Sequence, residues 1–341
     1  MYYYTINSVL AKKSIVKKGV YALVWETEFT KKFGVKYPIV QGGLAYLAYS
    51  DLASAVSNAG GLGQITAMSL SSPDDLRKEI ERTRSLTDQP FGVNFAIGAA
   101  RRPFKEMVQV AIDEEVDAIS ITGGNPQPIL QMVQKTSIKT LVLVAARRQA
   151  EKAEELGADA VMVVGQEGGG HIGRDDTGTF VLTPLVAETV SIPVLASGGI
   201  VDGKGLMAAL ALGADGIEMG TRFIATKECV HAHEVYKEAI VKADEHATAV
   251  IKRSLGAPAR VFKGDMTEKI LEIEKVNGTY EALKDYISGK ANRRYIHDGV
   301  IEEGIAYAGQ GAARIHDIPT VEQLMNQIIR EAEEIRKKWQ L

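Results

Sequence analysis

The sequence predicts an α/β protein, a (β/α)8 TIM barrel carrying a smaller helical second domain. Three observations lead there. Eight short β-rich runs recur at intervals of roughly 20 to 35 residues, the spacing of βα units. Two phrases, Leu156-Gly157-Ala158-Asp159-Ala160 and Leu212-Gly213-Ala214-Asp215-Gly216, are near copies of one helix-to-strand junction. Many of the 33 glycines gather in short loops directly after predicted strands, the barrel face on which active sites form. A doubly wound sheet is the alternative arrangement of the same units.

Residues 1–25 read as an extension outside the core, because Lys12, Lys13, Lys17 and Lys18 interrupt the apolar stretch that a secretory signal would need. The barrel is expected over residues 26–224. Its strands are Pro38–Gln41, Gly61–Ile65, Phe91–Asn94, Ala118–Thr122, Thr140–Val144, Ala160–Val164, Val194–Ser197 and Ile217–Gly220. Ser50 is placed to cap a helix ending at Gly60. Ser72-Pro73-Asp74-Asp75 supplies an N-cap, a proline at the first helical position and acids facing the helix dipole. After Arg222 the rhythm changes. Residues 225–300 are rich in helix formers and charges, with no clear strand, and read as a helical lid. Residues 301–341 form a C-terminal segment whose helix presents Val321, Leu324, Met325, Ile328, Ile329, Ala332 and Ile335 on one stripe and packs back on the barrel.

Composition narrows the function. The 341 residues are 45% hydrophobic and 24% charged, enough to bury a large core. A net charge of -3 argues against a nucleic-acid partner. No apolar run has the length of a membrane span, so no membrane role is expected and the cytoplasm is the default compartment. Cys229 stands alone and makes neither an internal disulfide nor a thiolate metal site. The sequence leaves a homodimer open.

The glycine loops carry the chemistry. The first strand ends in Gln41-Gly42-Gly43-Leu44-Ala45 and the sixth in a run from Gly165 to Gly173. The seventh ends in Ser197-Gly198-Gly199 and the eighth in Gly220-Thr221-Arg222. Backbone N–H groups free of a Cβ bind phosphate, and the loops after the seventh and eighth strands are common phosphate sites in barrels. His171, among the glycines of the sixth loop, is the candidate proton donor or acceptor. Loop context alone leaves open a histidine that only orders the loop. Glu167 either orients that imidazole or faces solvent. Asn94, ending the third strand, suits a hydrogen bond to a ligand, or else caps a turn. His231 and His233 lack a third ligand for a metal and read as helix-start surface residues. His246, His297 and His316 stand alone, solvation accounts for Asp175-Asp176, and Cys229 lies past the eighth strand, away from the mouth.

The segments PIVQGGLAYLAYSDLASAVSNAGGLG, LTDQPFGVN, GQEGGGHIG, IPVLASGGIVDGKG and LGADGIEMGTRF together resemble the nitronate monooxygenase family, formerly the 2-nitropropane dioxygenases. The likeness spans Thr27 to Trp339. The superfamily includes flavin-dependent enoyl-ACP reductase II and a bacterial NADH:quinone reductase group. The resemblance implies FMN bound in a TIM barrel with a helical domain closing over the flavin. It places Gly43, Leu44 and Ala45 against the isoalloxazine with Asn94 near it. Gly169 and Gly170 fall beside the cofactor, while Ser197, Gly198, Gly199, Gly220 and Thr221 form the phosphate cradle. His171 matches the catalytic histidine, and Gln310 a late motif that returns to the barrel mouth. Gly168 stands where an alanine is common, and Leu143 where some relatives carry a lysine near the flavin. The loop FGVNFAIGAARRPF reads as a lid, with Arg101 and Arg102 either meeting an anion or simply solvated.

Two enzymatic functions follow from the resemblance. One is FMN-dependent oxidation of alkyl nitronates to carbonyl compounds and nitrite with O2. The other is an NAD(P)H-driven reductase acting on a quinone or an enoyl thioester. A barrel that binds a phosphate ligand without catalysis is the alternative from another class.

Overall fold

The computed structural model describes residues 25–97 and 104–339. The extension expected over residues 1–25, apart from Trp25, and the Arg101-Arg102 pair lie outside the described residues. Eight parallel strands form the main sheet: β1 (Ile39–Gln41), β2 (Gly63–Thr66), β3 (Phe91–Ala96), β4 (Ala118–Thr122), β5 (Lys139–Val144), β6 (Ala160–Val164), β8 (Val194–Ser197) and β9 (Gly216–Met219). Each predicted strand is present. Their order is β1-β9-β8-β6-β5-β4-β3-β2. The ends meet through a parallel bridge between Val40 and Leu62, where the Leu62 amide donates to Ile39 at 2.9 Å and the Gln41 amide to Leu62 at 3.0 Å. This closes the barrel.

Alternation along the strands divides the core. Val40, Leu62, Ala118, Leu141, Ala160, Met162 and Leu195 cluster inside the barrel. Phe29 and Phe33 of α1 (Glu28–Phe33) join that cluster and plug its lower end. Outward residues such as Ile65, Val93, Ile119 and Val163 pack against the surrounding helices. The repeated junctions share a device. Asp159 and Asp215 each accept a hydrogen bond from the first residues of the preceding strand, Thr140 N at 3.0 Å and Val194 N at 3.1 Å.

Helix starts follow the sequence in one case and depart from it in another. Ser72 Oγ accepts from Asp75 N at 3.1 Å at the start of α3 (Pro73–Leu86). Ser50 is instead the first residue of α2 (Ser50–Asn58), after Tyr49, and its amide donates to the Glu79 carboxylate at 2.7 Å. A carboxylate from the neighbouring helix does the capping that the sequence assigns to Ser50.

The region 225–300 differs from the all-helical expectation. It contains α10 (Glu234–Val241), α11 (Asp265–Asn277), α12 (Tyr280–Leu283) and α13 (Gly289–Ile296), but also two strands. These are β10 (Thr248–Ile251) and β11 (Ala259–Phe262), an antiparallel hairpin. β11 also pairs with β7 (Gly170–His171), a two-residue strand cut from the glycine loop after β6. Ile251, Ala259, Val261, Ile270, Leu283 and Ile305 form a separate small core beneath this sheet. The terminal helix α14 (Val321–Trp339) buries Val321, Leu324, Met325, Ile328, Ile329 and Ala332, with Ile335 partly covered, as its stripe predicts.

Candidate active site

The C-terminal ends of the strands turn polar inward-facing residues to the mouth. Asn94, 1% exposed, donates from Nδ2 to Ser120 Oγ at 2.8 Å. Ser197 donates to the Glu218 carboxylate, which lies against Gly42. Burial pushes the Glu218 carboxyl above its ordinary pKa, and the Ser197 hydroxyl opposes that shift. Leu143, on β5, packs on the barrel interior and brings no charge. A Cβ at Gly43 would stand 2.4 Å from Asn94 Oδ1, so the first loop passes close over the amide. Leu44 N is fixed on Thr66 Oγ1 at 3.1 Å, while Gly43 and Ala45 remain exposed.

The other glycine loops meet beside it. Gly165 N donates to Ser197 O at 3.1 Å, joining the loops after β6 and β8. The 308–310 segment crosses both: Gln310 N donates to Glu167 O at 2.9 Å and Gly309 N to Thr221 Oγ1 at 3.0 Å. Gln310 therefore enters through its backbone, and its side chain is exposed. A Cβ on Gly169 would fall 2.6 Å from Gly309 N. Gly198 and Gly199 have φ of 96° and 74°, a conformation that glycine adopts readily. Among the described residues, no acceptor within the protein takes the amides of Gly198, Gly199 or Gly220. Unsatisfied amides on a glycine-lined concavity suit an anionic group.

Glu167 neither orients His171 nor simply faces solvent. Its carboxylate accepts from Thr179 N at 2.9 Å and Thr179 Oγ1 at 2.9 Å, holding the start of α7 (Thr179–Ala187). Thr179 Oγ1 also lies 3.0 Å from the Ser197 and Gly198 carbonyls. The pair buttresses the cradle from behind.

His171 sits on β7 opposite Ala259, its ring open to the cleft. Nε2 lies 2.7 Å from Lys252 Nζ, and the Tyr307 ring is 5.9 Å away between centroids. The enclosing cleft walls, and then the Lys252 charge, push the imidazole pKa down to about 4. Lys252 is 6% exposed; burial lowers its pKa to about 8, and Glu274 works in the opposite direction. Burial also raises the Tyr307 hydroxyl to about 12. Arg260, on β11, donates from Nη2 to Gln166 O at 2.9 Å and clamps the loop that carries His171.

All the candidate residues at the strand ends thus share one mouth: Gly43, Leu44, Ala45, Asn94, Gly169, Gly170, His171, Ser197, Gly198, Gly199, Gly220, Thr221 and the Gln310 backbone. The sequence reading missed Lys252, Tyr307, Arg260 and Glu218. Period-two alternation in β9 could have turned Glu218 inward; no local signal brings the other three to His171. His297 does not stand alone, because its Nε2 lies 2.9 Å from Tyr46 O on the loop after β1. His233 Nδ1 accepts from Val235 N at 3.2 Å as the N-cap of α10, and His231 rests edge-on against Tyr49. Among the described residues no three potential ligands gather around a metal position. Cys229 is fully buried, and burial raises its thiol to about 12, so it is no nucleophile.

This is a barrel whose mouth joins a glycine-lined concavity with free amides to an imidazole 2.7 Å from a lysine amine. A family model described as nitronate monooxygenase matches residues 26–103 and 96–331. The nitronate monooxygenase of Pseudomonas aeruginosa is 32% identical over 87% of this chain and 96% of its own. The (3aS,4S,5R,7aS)-5-hydroxy-7a-methyl-1-oxo-octahydro-1H-indene-4-carboxyl-CoA dehydrogenase of Rhodococcus jostii is 34% identical over 82% of this chain and 78% of its own. The solved FabK of Thermotoga maritima superposes with a TM-score of 0.86 at 40% identity, covering 92% of this chain and 98% of that one. The chain belongs to the nitronate monooxygenase family and is an oxidoreductase acting on small molecules. Among the described residues no helix is long and apolar enough to cross a membrane.

Proposed function

We propose that this protein is an FMN-dependent nitronate monooxygenase, converting alkyl nitronates and O2 to carbonyl compounds and nitrite. The observation that carries the reading is His171, held on β7 at the edge of a glycine cradle with free amides. Ser197, Gly198, Gly199, Gly220 and Thr221 would hold the phosphate of FMN. Gly43, Leu44, Ala45 and Asn94 would line the flavin ring, and Gly169, Gly170 and Gln310 would close the side. Bound FMN supplies the redox chemistry that no side chain here provides. His171, uncharged at neutral pH, takes the carbon-bound proton of a neutral nitroalkane; a preformed nitronate needs no such step. Leu143, packed on the barrel interior, brings no cation to the mouth.

A second reading has support of its own. The likeness to FabK at 40% identity, and to a dehydrogenase of a CoA thioester, favours an NAD(P)H-driven reductase of an enoyl thioester or quinone on the same barrel. Anaerobic stopped-flow absorbance of the FMN-loaded protein against NADH, NADPH and propionate 3-nitronate separates the two. The monooxygenase reading expects the flavin spectrum to change with nitronate and not with either nucleotide. Rapid bleaching by a nucleotide with nitronate inert selects the reductase. His171→Ala is expected to cut nitroalkane turnover by about 100-fold or more, with far less effect on nitronate. Equal losses on both substrates would remove the histidine from the role of initial base.

A further inference from the structure

The β10–β11 hairpin ends β10 at Ile251 and delivers the next residue, Lys252, to the reactive histidine. Three features of Lys252 have no explanation in packing. Its Nζ lies 2.7 Å from His171 Nε2, a contact across 81 residues of sequence. It is 6% exposed, where a lysine without a partner is costly, and among the described residues no carboxylate lies within 4.0 Å of Nζ. Its φ is 62°, a conformation that glycine takes more cheaply than lysine. Strain and burial retained at one residue beside a reactive group mark a functional position.

The surrounding charges are already engaged. Glu274 spends its carboxylate on the backbone amides of Lys252 and Ser254, at 2.8 and 3.0 Å. Arg253 pairs outward with Asp176 at 2.9 Å, and Arg260 is bound to Gln166 O. Tyr307 faces the imidazole ring and stays protonated near neutrality. Two basic groups 2.7 Å apart do not both carry a proton charge near neutrality.

We propose that Lys252 is the positioning residue of His171: its ammonium donates to Nε2, keeping the imidazole neutral with its own proton on Nδ1. The inference rests on His171 being the reactive base of the proposed function. The pair holds one ionising proton, resident on the lysine. The ammonium occupies the Nε2 lone pair, so Lys252 first releases its proton to solvent and Nε2 then takes one from a substrate carbon; the pair never holds two adjacent cations. His171 falls to about 4, first through burial and then through the Lys252 charge, while burial lowers Lys252 to about 8. Activity on a neutral nitroalkane is then expected to rise with pH up to the range in which Lys252 titrates.

The test is 15N NMR of histidine-labelled, FMN-loaded protein, with the His171 signal assigned from His171→Gln. The key variant is Lys252→Gly, which removes the ammonium and suits φ of 62°, so folding is retained; Lys252→Arg keeps a cation. The wild type is expected to show the Nδ1–H tautomer, with a His171 midpoint at least one unit below an ordinary imidazole. Lys252→Gly should raise that midpoint by one unit or more and move the rising limb of nitroalkane kcat/KM to lower pH. Lys252→Arg should keep the midpoint low. An unchanged midpoint and tautomer in Lys252→Gly would overturn the proposal. A shifted midpoint in a protein that turns over neither nitroalkane nor nitronate would support the pair and overturn only the assigned function.

Discussion

A methyl group at Gly169 would stand 2.6 Å from Gly309 N and 2.7 Å from Ala308 C, both backbone atoms that have no rotamer to escape into. Gly43 is constrained differently, because its added Cβ meets the Asn94 side-chain amide, which could turn away if Ser120 released it. The two glycines should therefore fail in distinct ways. Gly169→Ala is expected to cost about 1–3 kcal/mol of stability, the usual range for overpacking, and to detach the 308–310 segment. Gly43→Ala should be milder in stability and is expected to be partly rescued by Asn94→Ala. Urea denaturation of the two single variants and the double variant measures this, and additive costs for Gly43→Ala and Asn94→Ala would show that the two positions do not compete for space.

At the scale of elements, the barrel was legible and the hairpin was not. Several barrel strands carry continuous apolar runs, such as AVMVV at β6 bounded by glycine and aspartate, and helices recur between the strands. Those signals are local. β10 and β11 are four residues each, and β7 is two residues of a glycine loop whose extended shape comes only from pairing with β11. Nothing near His171 in sequence announces Lys252, Tyr307 or Arg260, because the contacts are made by that pairing. The glycine cradle was legible because phosphate-type sites need glycine in runs; the partners of the imidazole were not, because one lysine among many carries no pattern. The same dependence gives a prediction. Arg260→Ala removes both guanidinium bonds to Gln166 O, so amide hydrogen exchange should quicken across residues 166–172 while β4 and β5 remain protected. Unchanged exchange in that loop would mean that β7–β11 pairing alone holds it.

For the whole molecule, the cradle is a thermodynamic object as well as a chemical one. The loops after β8 and β9 leave the amides of Gly198, Gly199 and Gly220 without a partner among the described residues, and a ligand that takes them binds the folded chain and not the unfolded one. At a hundredfold excess over its dissociation constant, such a ligand adds about 2.7 kcal/mol of stability. For a chain of 341 residues that is about 4 °C in Tm, given the usual unfolding entropy per residue. FMN and riboflavin share the ring system and differ in the phosphate, so the pair isolates what the cradle contributes. FMN is expected to raise Tm by that amount, and riboflavin at the same concentration by a small fraction of it. Gly199→Ala, which forces a side chain into φ of 74°, should lower the FMN shift toward the riboflavin value. Equal shifts from FMN and riboflavin would mean that the ring pocket lined by Gly43 and Asn94 carries the binding, and that the free amides of Gly198, Gly199 and Gly220 serve another anion.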